Sequence, residues 1–172
     1  TVVPLQVISH NAVPNNGLSS GAMVFIDVNV TNPRGVEIGS IDVFGSIANT
    51  AYTLDVWIKQ GSYLTFEKVP SAWLKVSSAT GTSGATTTTA SNTLLPSPIY
   101  LPAGSYGIAM QYTGVGPRYQ TGTGLTTVAN GDLSMTLGAS LSTAVGSPFV
   151  TTSTPTTPRR SEEHHVSTPV TL

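Results

Sequence analysis

The sequence predicts an all-β protein, an antiparallel, jelly-roll-like β-sandwich of about eight or nine strands with no significant helix. Three observations predict it. Apolar residues alternate with a period of two rather than 3.6. Ser and Thr together supply 46 of the 172 residues, and β-branched Thr favours strands. Seventeen Gly and 12 Pro divide the alternating runs with turn chemistry.

Met23–Thr31 is the clearest run, with Val24, Ile26, Val28 and Val30 on one face and Asp27 and Asn29 on the other. Asn32-Pro33-Arg34-Gly35 ends it as a turn. Val36 and Ile38 open the next strand, continued by Ile41, Val43 and Ile47, with Gly39-Ser40 placed for a bulge. Tyr52, Leu54, Val56 and Ile58 form another stripe, while Thr53, Asp55, Trp57 and Lys59 face away. Trp73, Lys75 and Ser77 then alternate with Leu74 and Val76. Ser77–Asn92 holds almost only Ser, Thr, Gly and Ala, and reads as an exposed loop. Tyr106, Ile108, Met110 and Tyr112 mark a further strand, and Leu133, Met135 and Leu137 another. Shorter candidates are Leu5–Ser9, Thr93–Tyr100 and Val166–Leu172. The expected core brings Val24, Ile26, Val28, Leu54, Val56, Ile58, Ile108, Met110, Leu133 and Met135 together.

The length suits one domain. Residues 1–150 read as the sandwich, with an N-terminal edge strand or arm at 1–9, and 151–172 as an extended Thr/Pro-rich tail. Both ends carry apolar residues suited to subunit contact: Val2, Val3, Leu5 and Val7 at one, Val166, Val170 and Leu172 at the other. An unpaired edge strand invites a second chain.

Charge narrows the function. Only 9% of residues are charged, and 7 basic against 8 acidic residues give a net charge of -1. A nucleic-acid binder needs a basic face, so none is expected. No run approaches the ~18 apolar residues of a membrane span, so no membrane insertion is expected. Cys is absent, which removes disulfides, thiol nucleophiles and cysteine metal sites. A chain so poor in charge suits life in an assembly, as a homo-oligomer or part of a larger one.

Motifs for chemistry are weak. Gly17-Leu18-Ser19-Ser20-Gly21 matches G-x-S-x-G, but a turn precedes it and an alternating strand follows, so it lacks the strand-turn-helix of a nucleophile elbow. His10, the histidine outside the tail, reads as a surface residue. Asp27, Glu37, Asp42, Asp55, Glu67 and Asp132 are scattered singly, without the facing pair of a glycosidase. Asn130-Gly131-Asp132 reads as a turn, and no calcium-loop pattern occurs. Glu163 and His165 share a strand face, as do Glu162 and His164, which reads as a solvated polar strand. No catalytic residue, metal or cofactor is expected.

The aromatics leave two readings open. Trp57 lies on the outward phase of its strand, and Tyr63, Phe66 and Trp73 follow within sixteen residues. An exposed row would stack on a surface glycan. Alternatively, Gly61–Trp73 folds over the sheet and buries the rings as a second cluster.

A resemblance runs through the same segment. Asp55-Val56-Trp57-Ile58-Lys59-Gln60-Gly61-Ser62-Tyr63, then Phe66-Glu67 and Ala72-Trp73, resembles a recurrent module of bacterial secreted and surface proteins. Its members read as a strand, then G-S-Y-x-G-F-E, then A-W. Leu101-Pro102-Ala103-Gly104-Ser105-Tyr106-Gly107-Ile108 and Asn130-Gly131-Asp132-Leu133 are similar to its later strands, so the likeness covers about residues 20–140. It departs after Leu137, where Pro158-Arg159-Arg160 leads to a His-rich end instead of a closing P-R-x-W-N-G strand. The resemblance implies a jelly-roll sandwich without associated catalytic residues, and virion decoration proteins share the character. Low charge, the lack of a catalytic constellation and the Thr/Pro-rich tail make the expected function a non-enzymatic structural protein, extracellular or on a cell or virion surface. The alternative is a glycan-binding or adhesion module, with a hydrolase behind it.

Overall fold

The computed structural model describes residues 6–8, 13–121, 127–156, 159–161 and 166–168, the three-residue groups through their backbone pairing. Seven strands of eight to eleven residues build the body: β3 (Met23–Val30), β4 (Val36–Val43), β5 (Ala51–Gln60), β6 (Leu74–Thr82), β7 (Ser91–Leu101), β8 (Gly104–Thr113) and β11 (Leu133–Leu141). Six short ones complete it: β1 (Gln6–Ile8), β2 (Asn16–Gly17), β9 (Arg118–Thr121), β10 (Thr127–Ala129), β12 (Arg159–Ser161) and β13 (Val166–Thr168). The helical element among the described residues is one 3-10 turn, Pro70–Ala72.

Two antiparallel sheets face each other. The larger runs β10-β11-β3-β8-β5-β6 and the smaller β1-β13-β4-β7, with a minor sheet β12-β9-β2 at one end. The chain passes between the two large sheets from β3 to β4, β4 to β5, β6 to β7 and β7 to β8. That alternation makes the antiparallel sandwich jelly-roll-like, as the period-two pattern predicts.

The predicted inward stripes meet in the core. Val24, Met110 and Val56 lie side by side across β3, β8 and β5, and Leu137, Ile26, Ile108 and Ile58 form the next row. Opposite them, β4 and β7 supply Val36, Ile38, Ile41, Val43, Leu95, Ile99 and Leu101. Nine of the ten predicted core residues are fully buried, and Ile58 packs partly buried at the margin. Burying one such side chain contributes about 1.5–3 kcal/mol.

Bulges adjust the register. The β4–β7 ladder slips between Ile38 and Ser40, at the predicted Gly39-Ser40 bulge. Pro96 and Pro98 lie opposite it on β7, the outermost strand of its sheet, where a missing N–H is tolerated. The turn Asn32–Gly35 closes with Gly35 N–H donating to the Asn32 carbonyl at 3.0 Å.

The loop expected over Ser77–Asn92 requires correction. Residues 77–82 continue β6 and residues 91–92 begin β7, leaving only 83–90 between them. β6 is an edge strand that buries little besides Ala79, so it needs no large apolar side chains. Small β-branched residues serve there.

The ends of the chain pair with its own sheets. β13 lies antiparallel to β1 through Gln6↔Thr168, Val7↔Ser167 and Ile8↔Val166, and to β4 through Val166↔Ile41 and Ser167↔Ser40. Thr156 exchanges two backbone hydrogen bonds with Ser140 of β11. Val7 and Val166 thus sit in the smaller sheet, while Val2, Val3, Leu5, Val170 and Leu172 lie outside the described residues.

Candidate functional site

The outward face of the larger sheet holds a second apolar layer. Met23 and Phe25 on β3, Trp57 on β5 and Ala109 on β8 occupy the phase opposite the core. On β11 a bulge between Leu137 and Ala139 reverses the alternation, so Ala139 and Leu141 turn outward after Leu133, Met135 and Leu137 have pointed inward.

Residues 61–73 lie across this face as a strap. Asp27, on the same outer phase of β3, fixes its start by accepting the Ser62 hydroxyl at 2.5 Å and the Tyr63 N–H at 2.9 Å. At the far end the Trp73 indole N–H donates to the Phe66 carbonyl at 2.9 Å. Lys59 Nζ donates to the carbonyls of Gln60 and Ser62 and stands 4.2 Å over the Phe66 ring. Two strand glycines let the strap come this close. A Cβ at Gly107 would stand 2.9 Å from Tyr63 N, and one at Gly138 would stand 2.6 Å from the Tyr63 ring.

A second loop closes the layer. Phe149 stacks on Trp73 at 5.4 Å, meets Trp57 edge-on at 5.4 Å and tilts against Phe25 at 6.2 Å. Buried Gln111 steadies that loop, donating to the Ala144 carbonyl at 3.1 Å and the Gly21 carbonyl at 2.8 Å. Phe149 stands in no alternating run, so its local sequence does not mark it for this layer.

Trp57, Tyr63 and Trp73 come together as a cluster, but not as an open platform. They are 7%, 2% and 9% exposed, against 38% for Phe66. Sugar stacking needs a free ring face, and these rings pack against Phe25 and Phe149 instead. The glycan-stacking reading of this row is corrected accordingly: the strap folds down because burying three large rings outweighs leaving them in water. The Tyr63 phenol is pushed up to about 12, by burial first and then by Asp27 and Glu67. Its hydroxyl has no hydrogen-bond partner among the described residues.

Beside the strap, Thr53, Asp55, Trp57, Lys75, Gln111 and Pro148 line a shallow groove of about 550 Å3. Asp55 and Lys75 pair there at 2.8 Å, and Lys75 Nζ lies 5.4 Å from the Trp57 ring centre. One carboxylate, neutralised by one ammonium, offers the groove polarity without a second acid to work against.

Two further carboxylates serve as ties. Asp132 accepts the Asn32 amide at 2.9 Å, and Asp42 accepts that of Asn92. Asn130 Oδ1 accepts the N–H groups of Asp132 and Leu133, which makes Asn130–Asp132 the predicted turn into β11. Ser19 sits exposed in a loop with a turn and then β3 behind it, so Gly17–Gly21 is no elbow. His10 and residues 162–165 lie outside the described residues. Among the described residues, no three His, Asp or Glu side chains gather as metal ligands, and no helix is long and apolar enough to cross a membrane. No protein-family model matches the sequence, and no curated protein is found to be similar to it.

Proposed function

We propose that this protein is a non-enzymatic structural subunit that assembles with other copies, or into a larger coat, on an extracellular surface, filament or virion. The observation that carries the reading is how the smaller sheet is finished. Its last two strands come from opposite ends of the chain, residues 6–8 and 166–168, joined by three residue pairs to each other and two to β4. So short a seam contributes little by itself. β1 also stands outermost in its sheet, presenting an edge that a neighbouring strand can extend. The same pairs form equally well when a neighbouring copy supplies the terminal strand, as in strand exchange. The fold's carboxylates support the reading from another side, since Asp27, Asp42, Asp55 and Asp132 are each engaged in holding loops or strands together.

Deleting residues 151–172 tests this. The shortened chain should keep a cooperative melt, because the core of β3, β5, β8 and β11 is untouched, and it should lose its capacity to assemble. Assembly that proceeds unchanged without these residues would remove the terminal strands from the account.

A further inference from the structure

The sandwich presents two unlike faces on opposite sides. On the strap side, Leu64, Phe66 and Val69 remain exposed. The chain's three lysines, Lys59, Lys68 and Lys75, all fall within this stretch. Of the acids on this side, Glu67 is buried, Asp27 lies beneath the strap and Asp55 is paired with Lys75. Lys68 is exposed and has no ion-pair partner among the described residues.

The far side is the outward face of β4 and β7. Leu94 and Tyr100 stand out from β7, 72% and 55% exposed. Glu37 lies directly across from Tyr100, and Asp42 directly across from Asn92. Glu37 has no ion-pair partner among the described residues. Arg34 stands at the end of this face, in the β3–β4 turn, where its carbonyl accepts the Tyr100 hydroxyl at 2.8 Å.

We infer that the strap face of one copy docks on the β4–β7 outer face of the next, with apolar residues meeting apolar residues and Lys68 approaching Glu37. This adds a second contact, beside the terminal strands, to the assembly proposed above and rests on that reading. Because the two patches point away from each other, the contact is heterologous, and copies stack head to tail instead of closing as a two-fold dimer. Complementary charge sets the register of the stack, and the leucines and aromatics supply its contact area. A lipid surface would also accept lysines beside apolar side chains, but it gives no role to the acidic, apolar face opposite.

The test is a charge swap in the full-length chain, read by light scattering over a dilution series. Lys68→Glu and Glu37→Lys should each weaken self-association about fivefold, and the double variant should recover most of the loss. Leu94→Ser should weaken it too, with an unchanged melting temperature. Two single variants without effect, in a protein that still assembles, would overturn this contact and leave the assembly reading standing. Single losses without recovery in the double variant would show that the two residues do not meet, which also overturns it. A wild-type chain that stays monomeric while binding phosphatidylserine vesicles, and loses that binding on Lys68→Glu, would refute both readings and assign the strap face to lipid.

Discussion

Replacing Tyr63 by Phe isolates one atom of the strap. The ring lies stacked 6.0 Å from Phe25 and is almost wholly buried, while its hydroxyl is buried without a partner among the described residues. A buried hydroxyl left without a hydrogen bond costs about 1–3 kcal/mol. Tyr63→Phe keeps the ring and removes that cost, so at neutral pH the variant should be about 1 kcal/mol more stable than the parent. The alkaline range gives a second, independent readout. The phenol is raised from 10.0 to about 12 in the folded protein, so folding retains a proton that the unfolded chain releases. Stability from this group is complete below pH 10 and is lost as the pH rises through 12, a difference of about 3 kcal/mol. Urea melts of both proteins between pH 8 and 12 read it directly. The parent should lose stability that the variant keeps, so the gap between them should widen with pH. Parallel curves, or a variant destabilised at neutral pH, would show that the hydroxyl is solvated or bonded and that the strap is placed wrongly.

Three further substitutions probe other parts of the fold. Leu54→Ala empties a fully buried site between the sheets and should cost about 2–5 kcal/mol in denaturant melts; a cost under about 1 kcal/mol would mean an inverted strand phase. Gly138→Ala puts a methyl against the Phe25 carbonyl oxygen and 2.6 Å from the Tyr63 ring. It should lower stability by about 1–3 kcal/mol and change the near-UV circular dichroism of the aromatic cluster. Thr65 adopts a left-handed φ of 70°, which costs a β-branched residue about 1–2 kcal/mol. Thr65→Gly should therefore shift the urea midpoint upward, and a downward shift would deny that backbone geometry.

Much of the sandwich was legible because its rule is local. In β3, β5, β8 and β11 the inward phase is written residue by residue, and Val24, Leu54, Met110 and Met135 fall where alternation puts them. β6 was half missed because an edge strand can hold its place with Ser, Thr and Ala, which carry no hydrophobic period. The strap was legible only as a pair of alternatives. Its aromatics were visible, but their burial depends on Asp27 reaching Ser62 across 35 residues, a pairing no short-range pattern encodes. Phe149 was invisible for the same reason, and so was Gly138, whose role exists only once Tyr63 lies on it. The pairing of β13 with β4 and β1 joins residues more than 100 apart, and the sequence offered only apolar ends in need of a place.

The claim at the centre of this account is assembly, and the mass of the full-length chain in solution tests it most directly. Light scattering on material leaving a sizing column, at rising concentrations, should give a multiple of the single-chain mass that grows with concentration. A constant mass of one 172-residue chain at every concentration would contradict it.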